Sequence, residues 1–239
     1  MVVLHSDPTR KRRIKVTPLR IIVAVVLAAA LVGGGTFWLL RSWTPSRSAF
    51  PLQGITVSAE TGAVNWAAVR LSGADFVYLV ASSGRSERDA TFAANLDGAR
   101  AAGLKHGAIH RYSLCASATD QSTTFISTVP RDDAMLPPVV ALAFSPLCPQ
   151  RPSRDKLLAE LNIFLNQIEA HAGKPAILRV TRDVEAAYDL SSGINRTLWL
   201  EEEFFKPGYA TRPWVIWTAS TWKRVPGIKG AVEWDVVRP

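Results

Sequence analysis

The pattern of hydrophobic positions divides the chain into one long apolar segment and a region of shorter alternating runs. Residues 21–40 (IIVAVVLAAALVGGGTFWLL) carry no charged side chain. A helix rises 1.5 Å per residue, so a segment of this length spans the roughly 30 Å hydrocarbon core of a bilayer. A helix that is apolar on every face lies either in a membrane or in a buried core. We therefore predict one transmembrane helix at 21–40.

From residue 51 onward, short strand-like runs alternate with helical segments. Helical spacing of apolar residues predicts helices at 92–102 and 154–172, each followed by a glycine. Strand-like runs are predicted at 54–58, 75–81, 105–112, 138–144, 175–180, 197–200, 214–218 and 231–236. This alternation indicates an α/β barrel with mostly parallel strands. The last third contains more strand than helix, so we expect a barrel with an incomplete set of helices.

The positive charge of the chain is concentrated at its N-terminal end. The formal net charge is +8. Residues 1–20 contain six basic residues and one acidic residue, whereas 48–239 contain 20 basic and 19 acidic residues. The body of the protein is therefore close to neutral, and nucleic acid is not expected as a partner. Basic residues before an apolar helix predict a cytoplasmic N-terminus.

These observations predict four parts along the chain. They are a basic cytoplasmic tail (1–20), a transmembrane helix (21–40), a linker (41–50) and a barrel domain (51–239). The predicted location is the bacterial inner membrane, crossed once, with the barrel in the periplasm. A cleaved signal peptide is the alternative. Its apolar region is normally shorter and ends in an A-x-A-like site, and no such site occurs before Pro45.

Several ordered motifs of the barrel region resemble those of the glycoside hydrolase family 25 lysozymes. The matching segments are GITVS, GAVNW, FVYLVASSG, DATFAANLDGARAAGLKHGAIH, LPPVVALAF, GKPAILRVT and VPGIKGAVEWDVV. These lysozymes are muramidases that cut peptidoglycan. The resemblance implies a flattened β/α barrel of that type, with a groove at the C-terminal ends of the strands. It implies peptidoglycan as the ligand, and neither a cofactor nor a metal ion.

The acidic positions of the resembled family are mostly replaced in this chain. Glycoside hydrolysis needs one carboxylic acid as proton donor and a second carboxylate that stabilises the transition state or acts as nucleophile. The family motif GIDVS is GITVS here, with Thr56 in place of aspartate. The family Asp-x-Glu pair has become Ala141 and Ala143, so the proton donor is missing. The family motif VDxN is VEWD here, and Glu233 keeps a carboxylate at the aspartate position, one methylene longer. Of the four acidic positions of the family, this one survives in altered form. The resemblance thus implies that the family mechanism has been lost.

Relocated acids are the alternative to lost catalysis. Glu60, Glu233 and Asp235 are the acidic residues closest in sequence to the predicted groove ends of strands. A pair such as Glu60 with Glu233 could take over the acid and base roles. The other interpretation is that each is an ordinary solvated charge.

Four residues at family groove positions are candidates for substrate binding. Arg111 and Arg179 replace apolar or phenolic family residues and could bind a lactyl or stem-peptide carboxylate. Trp217 could stack on a sugar, and His110 is the histidine kept from the family motif YHF. Their alternatives are solvated arginines, a core tryptophan and a hydrogen-bonded core histidine.

The two cysteines follow two of the predicted strands by a few residues. If those strands are neighbours, as in the family barrel, Cys115 and Cys148 meet on the groove rim. In an oxidising compartment we expect a disulfide between them, the alternative being two free thiols.

Three functions remain open on the sequence alone. The first is a family 25-like protein without catalysis that binds peptidoglycan or an envelope protein. The second is an active or weakly active muramidase with relocated acids, and the third is a structural protein-interaction domain. A groove-facing carboxylate pair about 5–9 Å apart would favour the enzyme. An open groove without such a pair favours glycan binding, and a groove filled by side chains favours a protein partner.

Overall fold

The computed structural model describes residues 17–239. The basic residues from Arg10 to Lys15, on which the predicted cytoplasmic tail depends, lie outside the described residues. The chain separates into two compact units that meet between residues 40 and 41. The first contains most of helix α1 (Pro18–Ser42), which includes the whole predicted span and is long and apolar enough to cross a membrane.

The second unit, 41–239, is a closed barrel, which confirms the predicted fold. Its strands are β1 (Gln53–Val57), β2 (Phe76–Ser83), β3 (Glu87–Arg88), β4 (Lys105–Tyr112), β5 (Val139–Leu142), β6 (Ile177–Val180), β7 (Thr197–Glu201), β8 (Ile216–Arg224) and β9 (Ala231–Val237). Eight of them close the barrel in the order β1-β2-β4-β5-β6-β7-β8-β9. The short strand β3 pairs only with β2. Strand β9 runs antiparallel to both β1 and β8, and the remaining pairs in the ring are parallel.

Six helices and one 3-10 turn (Ala59–Thr61) surround the barrel. The helices are α2 (Trp66–Leu71), α3 (Phe92–Ala101), α4 (Ala118–Thr128), α5 (Arg154–Ala172), α6 (Arg182–Tyr188) and α7 (Leu190–Gly193). The bounds of α5 are those predicted. Within the described residues no helix follows α7, in agreement with the expected shortage of helices in the last third.

Helix α4 was missed because its sequence, ATDQSTTFIST, is rich in residues of low helix propensity. Its first turn is capped by Ser117, whose side chain accepts a hydrogen bond from the backbone N–H of Asp120. Gln121 and Phe125 on its inner face are fully buried. Packing against the barrel therefore overrides the weak local preference.

The barrel interior has an apolar lower layer and a polar upper layer. Alternation along each strand directs every second side chain inward. In the lower layer Tyr78 and Trp199 pack edge to face, with ring centroids 5.1 Å apart. The upper layer, at the C-terminal ends of the parallel strands, contains charged and hydroxyl side chains instead. This polar end is where the candidate site lies.

The segment 41–50, predicted as a linker, contacts the barrel. Trp43 lies edge-on to Phe204 and Trp217, with ring centroids 5.4 Å and 6.4 Å away. Phe50 belongs to the buried core between the barrel strands and the surrounding helices. Arg47 forms an ion pair with Asp75, at 2.9 Å. A fragment meant to contain the whole barrel unit should therefore begin at residue 41.

Candidate functional site

An open cleft of about 690 Å³ lies at the C-terminal ends of the strands. Thr56, Ala141, Ala143 and Glu233, the four positions of the family acids, all line it. Glu60, Arg111, Arg179 and Glu201 line it as well, together with both cysteines. Cys115 and Cys148 form the expected disulfide, which closes a loop of 33 residues on the rim. The fold thus brings most of the predicted site residues together in one cleft.

Arg179 occupies the centre of the charged part of the cleft. It follows Ile177 by two positions on β6 and therefore points inward, above the apolar layer. Its Nε lies 2.7 Å from Oε1 of Glu201 on β7, and its Nη1 lies 2.7 Å from Oε2 of Glu233 on β9. The guanidinium also lies 4.9 Å from the ring centroid of Trp199. Burial opposes its charge, but the charges of Glu233 and Glu201 outweigh burial and raise the pKa of Arg179 further.

Glu233 is ionised in this arrangement. Burial alone would raise the pKa of its carboxyl group, but the ion pair with Arg179 outweighs burial and holds the pKa below its ordinary value. A general acid must carry a proton at working pH, so its pKa has to be near or above that pH. Glu233 has the opposite shift, and it is therefore unsuited to the role of proton donor.

Asp235 lies two residues further along β9 on the same inward face, below the cleft. It is fully buried and accepts hydrogen bonds from two hydroxyl groups, Thr56 Oγ1 at 2.9 Å and Thr218 Oγ1 at 2.7 Å. Burial and the nearby charge of Glu233 raise the pKa of Asp235 to about 7. Asp235 does not line the cleft, so its proton is out of reach of a ligand there. Thr56, at a family aspartate position, instead serves as a hydrogen-bond donor to this buried acid.

Strand β5 and the residue after it present the methyl groups of Ala141 and Ala143 to the cleft, where the resembled family has its acid pair. Ala141 lies in register between Arg111 on β4 and Arg179 on β6. Arg111 is half-exposed and forms an ion pair with Glu60, at 3.4 Å. The β5 side of the cleft therefore has basic neighbours and no acid of its own.

His110 and Trp217 do not reach the cleft, which corrects the expectation that they bind substrate. Each precedes an inward-facing residue, Arg111 or Thr218, so alternation turns it toward the helices or the outer core. His110 is fully buried, bonded to Ser82 Oγ at 2.9 Å and Gln121 Oε1 at 3.2 Å. Burial lowers its pKa to about 4.

Trp217 is buried to a similar degree. Its Nε1 donates a hydrogen bond of 2.7 Å to the backbone carbonyl of Glu202, and its ring packs against Phe50 and Trp214. A tryptophan whose ring and N–H are both satisfied by the protein offers no surface for a sugar.

Glu201 is the cleft residue that sequence reasoning missed. The predicted strand stopped at Leu200, one residue before it, whereas β7 continues to Glu201. Extending the inward alternation of Thr197 and Trp199 by one step reaches this carboxylate. The sequence contained this signal. Reading it required knowing which residues of β7 point inward and that the strand extends one residue further.

Metal binding has no support in the part of the chain from 17 to 239. No group of three or more His, Cys, Asp or Glu side chains there has an arrangement suited to a metal ion. Two of the cleft carboxylates, Glu201 and Glu233, already share the guanidinium of Arg179.

Comparisons with known proteins agree with this geometry. The model of "Glycosyl hydrolases family 25" matches residues 55–228. Lysozyme M1 of Streptomyces globisporus is 26% identical over 200 residues, which cover 76% of this chain and 66% of that protein. The bacterial lysozyme structure from Streptomyces coelicolor superposes with a TM-score of 0.70 at 25% identity, covering 78% of this chain and 91% of that one.

A second solved structure, the family 25 glycosyl hydrolase from Bacillus anthracis, gives a TM-score of 0.74 at 22% identity. The superposition covers 82% of this chain and 92% of the Bacillus anthracis chain. At this identity the match supports the fold. The family match, which extends over most of the barrel, carries the assignment: the chain belongs to glycosyl hydrolase family 25.

Proposed function

We propose that the protein is a membrane-anchored member of family 25 that binds the glycan strands of peptidoglycan without cutting them. One observation carries the proposal. Arg179 is inserted between the cleft carboxylates of Glu201 and Glu233, each 2.7 Å from its guanidinium, while alanines occupy the Asp-x-Glu positions.

The argument against catalysis rests on the available protons. Among the described residues, Glu233 is held ionised by Arg179 and Asp235 is sealed below the cleft. Glu201 is bound to the same guanidinium as Glu233. A positioned general acid contributes about 10²–10⁴-fold to such a reaction, and the stabilising carboxylate contributes more. Glu60 and Glu87 also line the cleft, but both are exposed, and Glu60 forms an ion pair with Arg111 at 3.4 Å. We therefore take both contributions to be missing.

The argument for binding rests on the open cleft. Its volume of about 690 Å³ is in the range of ligand sites, and its floor is not filled by side chains. Arg111 presents a half-exposed guanidinium to the cleft and can pair with a lactyl or stem-peptide carboxylate. The curated relatives include proteins named as lysozymes, so peptidoglycan is the first ligand to test.

In the proposed topology the N-terminus lies in the cytoplasm, helix α1 crosses the inner membrane once, and the barrel lies in the periplasm. Support comes from the apolar helix α1 and from the basic residues that precede it in the sequence. The Cys115–Cys148 disulfide suits an oxidising compartment.

The test incubates the purified full-length protein, in detergent, with purified peptidoglycan. We expect the protein to sediment with the glycan and to release no soluble muropeptides. Arg111→Ala should weaken sedimentation if the cleft is the binding site. A matched control, Arg70→Ala, removes an arginine on α2 that does not line the cleft.

Muropeptide release that disappears in Glu233→Gln would overturn the proposal and support a muramidase with relocated acids. A protein that neither sediments nor releases fragments would favour an envelope protein as the partner of the barrel.

A further inference from the structure

Exposed aromatic side chains lie outside the cleft, on the part of the barrel that holds residues 42 and 43. Phe205, in the loop after β7, is 74% exposed, and Trp222, near the end of β8, is 46% exposed. Single exposed aromatic residues are common on protein surfaces, whereas exposed aromatic residues grouped on one surface mark a contact with a partner or a membrane. Neither side chain lines the cleft.

Hydrogen bonds and ring contacts join three segments into one surface here. Phe204 packs on Trp43, and its backbone N–H donates to the carbonyl of Ala219 at 2.9 Å. The backbone N–H of Thr221 donates to Glu203 Oε1 at 3.0 Å. Lys223 Nζ donates to the carbonyl of Ser42 at 2.8 Å. We call the surface made by Trp43, Phe205, Lys206, Trp222 and Lys223 the aromatic–basic face.

The charge near this face is positive. Residues 221–230 contain Lys223, Arg224 and Lys229 and no acidic residue, and Lys206 follows Phe205 directly. Of the two nearby acids, Glu202 forms an ion pair with Arg182, and Glu203 accepts the hydrogen bond from Thr221. Glu203 keeps its charge, so Lys206, Lys223, Arg224 and Lys229 outnumber this one acid that has no ion pair. The face therefore combines aromatic rings with a net positive charge.

The backbone of the loop has an uncommon conformation at this point. Phe204 has a φ of 64°, in the left-handed region that aromatic residues rarely adopt. In this conformation Phe204 packs inward on Trp43, while the next side chain, Phe205, stays in solvent.

We propose that the aromatic–basic face of the barrel rests on the lipid headgroup surface of the membrane. The proposal depends on the anchoring described under the proposed function. Helix α1 ends at Ser42, so chain continuity keeps the surface around Ser42 and Trp43 within a few residues of the bilayer. Aromatic rings favour the bilayer interface, and lysines favour anionic headgroups.

The position of the cleft gives this contact a function. Strands β7 and β8 are parallel, so Glu201, at the end of β7 in the cleft, and Trp222, near the end of β8, lie at the same end of the barrel. A barrel that rests on lipid through this end holds its cleft close to the membrane. Glycan strands next to the bilayer are then within reach.

The test places a fluorescent probe on Phe205→Cys in the full-length protein, reconstituted in phosphatidylethanolamine vesicles that contain phosphatidylglycerol and headgroup spin-labelled lipid. Both native cysteines are in the disulfide, so the new thiol is the one that reacts. The matched control is Leu71→Cys, at the last residue of α2, which is 88% exposed and lies a few residues before β2. We expect quenching of the probe at 205 to be several times stronger than at 71.

A second arm tests the charge. Lys206→Gln should lower the ratio of docked to undocked barrel about fivefold, because a lysine near an anionic surface contributes about that factor. Lys105→Gln, at the start of β4 and thus at the other end of the barrel, should leave the ratio unchanged.

Equal, weak quenching at 205 and 71, in protein that stays with the vesicles after a carbonate wash, would overturn the docking and leave the anchor intact. Release of the protein by the wash would overturn the anchoring itself and the docking with it. The same quenching at 205 in vesicles without phosphatidylglycerol would overturn the role given to the lysines.

Discussion

The two sides of the cleft differ in how they depart from the resembled enzymes. On the β5 side, Ala141 and Ala143 present methyl groups where the family has a pair of acids. On the opposite side, Glu201, Glu233 and Asp235 are bound by Arg179 and by hydroxyl groups. One side has lost its acids, and the other has kept acids but satisfies them within the protein. Under the proposed function, the cleft loses its chemistry by ion pairing on one side and by loss of acids on the other.

The largest effect is expected where the charged side is broken. Arg179→Met removes the buried partner of Glu201 and Glu233, whose side chains are each 30% exposed. Removing one partner of a buried ion pair costs about 3–5 kcal/mol, because the remaining charge is uncompensated. Because of that exposure, the expected loss lies toward the lower end of the range for a buried pair. Chemical denaturation of the full-length protein measures the loss.

Arg111→Met is the matched control for that variant. Its ion pair with Glu60 is half-exposed, so the expected loss is within about 1 kcal/mol. Equal stability of both variants and the parent protein would show that Arg179 does not hold the carboxylates together.

A smaller effect, dependent on pH, is expected at Asp235. Its folded-state pKa of about 7 lies above the ordinary value of 3.8. The folded state therefore holds this proton more tightly, and the stability it contributes is fully present below about pH 4 and is lost as pH rises through 7. Asp235→Asn keeps the shape of the side chain and removes the carboxyl group that titrates.

Between pH 4 and pH 7 the stability of Asp235→Asn should rise relative to the parent by about 1–3 kcal/mol, at no more than about 1.4 kcal/mol per pH unit. Denaturant unfolding at several pH values provides the measurement, with Asp75→Asn, at the ion pair with Arg47, as the comparison. A constant difference between Asp235→Asn and the parent across this range would contradict the raised pKa.

The smallest effect is expected from rebuilding the depleted side. Thr56→Asp, Ala141→Asp and Ala143→Glu together should release few or no muropeptides from peptidoglycan. Arg179 lies next to position 141 in register, so it would pair with the restored acids and hold them ionised. The resemblance implies a second change nearby, because Val80, which lines the cleft, replaces the lysine of the family motif KATEG.

Adding Arg179→Tyr to that triple variant separates the two causes. A rise in release with the fourth change would assign the block to Arg179. Strong lysis by the triple variant alone would show that the substrate site is intact and that the ion pairs are no obstacle.

The fold was predictable from the sequence because long periodic segments determine it. The bounds of β4 and α5 agree with the prediction to the residue. The disulfide was expected because the resembled family barrel places the strands before the two cysteines side by side. Helix α4 was not predictable from local propensity, since tertiary packing of Phe125 stabilises it.

The cleft was less predictable because its lining depends on strand phase. A shift of one residue exchanges the inner and outer faces of a strand. His110 and Trp217 were assigned to the cleft although their neighbours Arg111 and Thr218 occupy the inward positions. The pairing of Arg179 with both Glu201 and Glu233 could not be predicted without the order of the strands around the barrel. That order places the three side chains, from β6, β7 and β9, together at the polar end.

The disulfide on the rim has a consequence for how a ligand enters. Cys115 follows β4 and Cys148 follows β5, so the bond joins two neighbouring loops that would otherwise move independently. A ligand that contacts this edge does not have to order a loop, so binding there costs little conformational entropy of the protein. The width of the opening is also fixed before the ligand arrives. If the cleft binds glycan as proposed, the disulfide therefore limits the thickness of the chains that can enter on this side.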